Sequence, residues 1–212
     1  MVIPKLHYIS QGNSAKEHLE NIQKACSSGA ELVQLHLKNV SEKEYLKIAE
    51  QARELTAHFQ TRLLINEYYK IAKKVKADGV HLENTDFDAT TAIENLYSWQ
   101  IIGATANTLQ ECKTLVDKKV DYITLHPFRA SEIKNTTVLG LNGFTAIIDA
   151  LKTQTPIIGF GGITTKDVTY ILETGISGLA VSEAITNDFN TIKEFNLLLK
   201  ASSTDEMRYD FK

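Results

Sequence analysis

Three polar side chains alternate at Gln34, His36 and Lys38, inside the run ELVQLHLKN. In an extended backbone successive side chains point to opposite sides, so an amide, an imidazole and an ammonium would share one face and could bind an anion. A hydrogen-bonded core histidine followed by a solvated lysine fits the same pattern, and spacing alone leaves both readings open. A second group is acidic. The apolar run Leu63-Leu64-Ile65 stops at Asn66-Glu67, and Asp86 follows Glu83 and Asn84 after another short apolar run. Magnesium takes hard oxygen ligands, commonly one or two carboxylates with substrate phosphate and water. Glu67 and Asp86 could hold it; two surface acids near helix ends are the alternative. A third group is Gly159-Phe160-Gly161-Gly162-Ile163-Thr164, where missing Cβ atoms would let backbone N–H groups approach an anion at a helix start. Val181-Ser182-Glu183-Ala184-Ile185 offers a second short helical start.

To act together these groups must lie at the ends of strands in one sheet. Eight short apolar runs read as strands: KLHYIS, ELVQLHL, RLLIN, GVHL, WQIIGAT, DYITLH, TPIIGFG and SGLAVSE. Between them, SAKEHLENIQKACSSG places Leu19, Ile22 and Ala25 at helical intervals after a Ser14 cap, and SEKEYLKIAEQARELTAHF repeats the arrangement after Ser41. Ser41 and Glu44 have the spacing of a reciprocal capping box. Further helices are expected over 68–76, 88–97, 108–118, 141–152, 164–174 and 189–200. The phrases SSGAELVQL, KADGVHL, KKVDYITL and ETGISGLAV each set a turn directly before a strand buried on both faces. Eight βα units predict an α/β fold, a single-domain (β/α)8 TIM barrel over 1–212 with 203–212 as a polar tail. A doubly wound open sheet would carry a glycine-rich dinucleotide turn after its first strand; here that strand ends in Ser10-Gln11-Gly12-Asn13. In such barrels the active site lies at the carboxyl ends of the strands, with a phosphate site after strands seven and eight. That favours the phosphate-binding reading of Gly161, Gly162, Val181 and Ser182.

A chain of 212 residues is near the lower end for this barrel and long enough for one continuous core. With 43% hydrophobic and 23% charged residues it reads as folded and globular. A formal charge of -3 and a pI near 6.1 supply no basic field, which argues against nucleic acid or an anionic membrane as partner. Cys26 and Cys112 sit within helical patterns without metal-like spacing, so both are expected to be buried and structural. No stretch approaches the ~20 apolar residues of a membrane span and no signal-like leader opens the chain; a cytoplasmic location is the expectation.

In order and spacing, KLHYISQG, ELVQLHLKN, LLINE, KADGVHLENTD, IIGATANT, IIGFGGIT and SGLAVSEAI resemble thiamin phosphate synthase. The resemblance covers nearly the whole chain. It implies a magnesium-assisted (β/α)8 enzyme that joins a hydroxymethylpyrimidine diphosphate to a thiazole phosphate and releases pyrophosphate. It also implies that Gln34, Lys38, Asn66 and Lys134 grip the diphosphate and that Glu67 and Asp86 hold magnesium. By the same resemblance, Thr105 and Asn107 face the pyrimidine, and Gly161, Gly162, Val181 and Ser182 cradle the thiazole phosphate. No protein nucleophile is needed, because the pyrimidine-methyl carbon can lose pyrophosphate before the thiazole nitrogen captures it.

The chain departs from that family in three places. His36 stands where an arginine is usual, and an imidazole lacks the bidentate, permanently charged grip of guanidinium. Glu67 stands in place of aspartate, lengthening the ligand arm. In LHPFRASEIKN the family pattern GPxxxTxTK keeps Pro127 and Lys134, but His126 replaces the glycine, Ser131 the first threonine and Ile133 the second. Whether Arg129 in this segment restores the guanidinium that His36 lacks is a question for the structure. His126 resembles the proton-moving histidine of the related thiazole tautomerases, and a reference pKa near 6.5 suits proton transfer at neutral pH. The sequence therefore carries a synthase reading with Lys134 in the chemistry, a tautomerase reading with His126, and a third reading as a catalytically silent phosphate-binding paralogue.

Overall fold

The computed structural model describes residues 2–83, 89–129 and 137–209, with side chains described through residue 200. Eight parallel strands close on themselves in sequence order. They are β1 (Leu6–Ile9), β2 (Leu32–Leu35), β3 (Arg62–Asn66), β4 (Gly79–Leu82), β5 (Ile101–Ala106), β6 (Tyr122–Leu125), β7 (Ile157–Phe160) and β8 (Gly178–Val181). Closure comes from β1 pairing with β8, with Leu6 opposite Leu179 and Tyr8 opposite Val181. The helices are α1 (Ala15–Ser27), α2 (Glu42–His58), α3 (Tyr69–Lys74), α4 (Ala89–Asn95), α5 (Leu109–Asp117), α6 (Gly140–Leu151), α7 (Val168–Leu172), α8 (Glu183–Asn187) and α9 (Thr191–Tyr209), with a 3-10 turn at Thr165–Asp167. None of the helices among the described residues is long and apolar enough to cross a membrane.

The period-two pattern of the strands divides the core in two. One parity packs outward against the helices, where Val33, Leu35, Leu63, Ile65, Val80 and Leu82 join a cluster with Ile22, Tyr45 and Phe144. The other parity fills the barrel, where Ile9, Leu32, Leu64, Ile101, Tyr122, Ile158 and Ala180 make a second, smaller cluster. Each fully buried aliphatic side chain contributes about 1.5–3 kcal/mol. Tyr122 is the large member of the inner set, and Gly103 on β5 makes room for it: a Cβ at Gly103 would lie 2.0 Å from the Tyr122 ring. Cys26 and Cys112 are free and buried, as their helical settings suggested.

The two caps expected from the sequence, Ser14 and Ser41, are both present. Ser14 caps α1 by accepting from the Glu17 N–H at 3.2 Å. At α2 only half of the expected box forms: Ser41 accepts from the Glu44 N–H at 3.2 Å, without the return contact. The reciprocal box is instead at α5, between Thr108 and Glu111. Helix α9, expected to end near residue 200, continues to Tyr209.

Candidate active site

Continuing the inward parity past the strand ends brings polar side chains to one mouth, a cleft of about 1290 Å³. His36 and Lys38 line it from the segment after β2, Thr105 and Asn107 from β5 and its end, and His126 from the end of β6. Gly161 and Gly162 enter from beyond β7, and Val181 and Ser182 from β8. Gln34 and Asn66 lie just beneath and are buried. Asp86, Ser131 and Lys134, together with Ile133, lie outside the described residues.

The β2–β4 side is a connected hydrogen-bond chain. The Gln34 Nε2 donates to Asn66 Oδ1 at 2.6 Å, and Asn66 Nδ2 donates to Glu83 Oε1 at 3.1 Å. The same Glu83 oxygen accepts His36 Nε2 at 2.9 Å. Chiefly through that His36 contact, with burial opposing and Asn66 assisting, the Glu83 carboxyl is lowered to about 2, so it is a carboxylate at neutral pH. Behind His36, its backbone N–H donates to Ser10 Oγ at 3.1 Å, and Ser10 Oγ pairs with His18 Nδ1 at 2.9 Å. Glu67 follows the last residue of β3 with φ 64, a left-handed conformation uncommon for a side chain of its size. Its Oε1 accepts the backbone N–H of Glu83. Among the described residues, no group of three or more His, Cys, Asp or Glu could hold a metal ion.

The floor of the cleft is neutral. His81 is buried between the Tyr122 hydroxyl, 2.8 Å from Nδ1, and the Thr105 hydroxyl, 2.9 Å from Nε2. Burial pushes its pKa down to about 3. Asn107 has its N–H on Glu111 Oε2 at 2.6 Å, while its Oδ1 is buried with no partner among the described residues. A buried acceptor of this kind is costly unless a ligand or water supplies the donor. His126 is half-buried and stacks on Phe160, with ring centroids 5.0 Å apart. Burial lowers its pKa as well.

Across the cleft the chain turns at Gly161 (φ 114) and Gly162 (φ 66). A Cβ on Gly161 would lie 2.8 Å from the Phe128 backbone nitrogen, so only glycine fits the turn as built. Arg129 holds this turn from outside. Its Nη1 donates to Gly162 O and to Asp167 Oδ2, each at 2.7 Å, and its Nη2 donates to Asp167 Oδ1. Asp167 in turn accepts the Thr164 N–H at 2.8 Å and the Thr164 hydroxyl at 2.7 Å. Burial alone would raise the Asp167 carboxyl, but Arg129 and Thr164 outweigh it and lower its pKa. The guanidinium is therefore engaged at the β7 turn and does not replace the one missing at His36. Ser182 anchors the neighbouring turn by donating to Ile9 O at 2.9 Å.

Sequence parity anticipated that Gln34, His36 and Lys38 share a face, and the resemblance added Thr105 and Asn107, but neither gave the role of Glu83. Its place two residues beyond the inward-facing His81 was the available signal. His18 and Ser10 carried none, because α1 brings His18 to the mouth only through the tertiary fold.

A closed barrel with amides, imidazoles and a fixed carboxylate on one side of its mouth, and a glycine turn on the other, has the build of a (β/α)8 enzyme. A family model described as thiamine monophosphate synthase matches residues 6–185. The thiamine-phosphate synthase of Flavobacterium johnsoniae is 38% identical over 187 residues, covering 86% of this chain and 88% of that protein. That of Flavobacterium psychrophilum is 38% identical over 200 residues, covering 91% and 97%. Among solved structures, a thiamine phosphate pyrophosphorylase from Pyrococcus furiosus superposes with a TM-score of 0.81 at 26% identity, covering 93% of this chain and 96% of that one. The chain belongs to the thiamine monophosphate synthase family.

Proposed function

We propose that this protein is a cytoplasmic thiamine-phosphate synthase, joining a hydroxymethylpyrimidine diphosphate to a thiazole phosphate and releasing pyrophosphate. The observation that carries the reading is the pairing of two anion-suited walls across one cleft: the Gln34–Asn66–His36 row with Lys38 on one side, and the Gly161–Gly162 turn with Ser182 on the other. A reaction between two phosphorylated substrates needs both. Asn66, His36 and Lys38 offer donors to the diphosphate, with Ser131 and Lys134 adding a hydroxyl and an ammonium. Thr105 and Asn107 face the pyrimidine; the unpartnered Asn107 Oδ1 suits an amino donor on that ring. Backbone N–H groups at Gly161, Gly162 and the Val181-Ser182 turn take the thiazole phosphate.

Glu67 and Asp86 follow the neighbouring strands β3 and β4. As hard oxygen donors they fit magnesium. When bound, the ion neutralises charge on the departing pyrophosphate. The chain's own contribution is positional. It holds the two substrates on opposite walls, so that the thiazole nitrogen is in place to form the new C–N bond once the C–O bond to the diphosphate has broken. Donors already in place stabilise the leaving anion without reorganising.

A tautomerase reading rests on His126, whose ring lies in the cleft and whose lowered pKa leaves it a neutral proton acceptor at pH 7. One experiment separates the possibilities. Purified protein is incubated with both substrates and magnesium, thiamin phosphate is followed by mass spectrometry, and a thiazole-tautomer-only reaction runs alongside. Thiamin phosphate is the expected product. Aromatised thiazole alone would move the assignment to the tautomerase, and no product in either reaction would leave a silent phosphate-binding paralogue.

A further inference from the structure

The row assigned to the diphosphate already holds an anion, and that anion belongs to the protein. Gln34 donates to Asn66 Oδ1, which leaves Asn66 Nδ2 to face an acceptor. That acceptor is Glu83 Oε1 at 3.1 Å, and the same oxygen takes His36 Nε2 at 2.9 Å. A phosphoryl oxygen would need the same two donors. We infer that Glu83 is an internal stand-in for the substrate's diphosphate, a specificity-determining residue that must be displaced before the diphosphate can engage Asn66 and His36. The inference rests on the reading of Gln34, His36 and Asn66 as the diphosphate grip.

The physical consequence is a competition between like charges. Carboxylate and diphosphate cannot share one pair of donors a few ångströms apart, because their repulsion is strong where water is partly excluded. Glu83 can yield: its side chain is 44% accessible, so rotation returns the carboxylate to water rather than to a buried site. Displacement costs the entering anion two charge-assisted hydrogen bonds. A monophosphate offers little more than the carboxylate it replaces. A diphosphate carries more charge and can also reach Lys38 on the same wall, so Glu83 selects for the diphosphate.

The test measures binding of inorganic pyrophosphate and of inorganic phosphate, in EDTA, to the wild type and to Glu83→Gln, Glu83→Ala and Asn66→Ala proteins, each checked for an unchanged melting profile. Glu83→Gln keeps a neutral acceptor for the row, and Glu83→Ala removes it; both leave the barrel core untouched. Both Glu83 variants are expected to bind pyrophosphate about tenfold more tightly, the scale of one removed like charge at a partly screened site. Phosphate affinity should rise at least as much, narrowing the preference between the two anions. Weaker binding in Asn66→Ala with unchanged or weaker binding in both Glu83 variants would overturn the inference while keeping the grip. Unchanged pyrophosphate affinity in Asn66→Ala would remove the grip and the inference together.

Discussion

His36 and Arg129 show how one missing guanidinium is handled by single side chains. His36 presents one ring nitrogen to Glu83, whereas a guanidinium would offer a fork. Arg129, close by in the sequence of the altered loop, is committed to Asp167 and Gly162 O. In the proposed synthase, anion binding on the β2 side would thus rest on amides, one imidazole and the exposed Lys38. His126 is the other residue whose role follows from its setting. It packs on Phe160 and is poor at holding a proton near neutral pH. If it serves packing, His126→Ala should leave both thiamin phosphate formation and any thiazole aromatisation within about tenfold of wild type, whereas a general acid–base role would cost the aromatisation about 10²–10⁴-fold. Steady-state assays of purified variant and wild type decide between the two. That His36 and Lys38 would line the mouth was legible because strand parity carries past the end of β2, and Thr105 and Asn107 were legible through the family resemblance. Which residues would bond to one another was not. His36 and Glu83 are brought together across the intervening β3, and no local spacing encodes that.

In the proposed synthase, the glycine turn after β7 is the element that would carry the thiazole phosphate. Its two left-handed residues are fixed from outside by the Arg129–Asp167–Thr164 bonds, so the turn arrives preformed. Gly161→Ala should strain the turn by about 1–3 kcal/mol and raise the KM for thiazole phosphate about tenfold, the equivalent of one lost hydrogen bond. The KM for the pyrimidine diphosphate should stay close to that of wild type. Equal rises in both constants would mean that the whole cleft had deformed and that the turn has no separate role. The elements themselves were the most readable level of the sequence, since short apolar runs bounded by turn residues and 3.6-residue periodicity give strands and helices almost directly. Their ends were less so. The Thr108–Glu111 pair has the same spacing as Ser41–Glu44, yet only the former closes a reciprocal box, because cap geometry depends on how the preceding chain enters the helix.

For the molecule as a whole, the barrel interior ties stability to pH. His7 and His81 are buried, and burial pushes them down to about 4 and about 3. Each stays neutral in the folded protein at pH values where the unfolded chain, near 6.5, takes up a proton. Stability is therefore full above about pH 6.5 and declines as pH falls toward the folded values. At pH 5 the two together should cost about 4 kcal/mol relative to pH 8. Urea denaturation at the two pH values checks this, and equal midpoints would contradict the burial of both rings. The count of eight βα units made the barrel legible, but its closure was not, since the β1–β8 seam joins residues such as Leu6 and Leu179 from opposite ends of the chain. The close fit of Gly103 against Tyr122 has a consequence for how this chain can vary. A larger residue at 103 collides with a ring that has nowhere to go, and a smaller one at 122 leaves a void and strips His81 of one of its two hydroxyl partners. Neither position can change first, so the pair behaves as one inherited unit at the floor of the barrel. The His36 and His126 positions at the mouth carry no such lock, and substitutions there can accumulate one at a time.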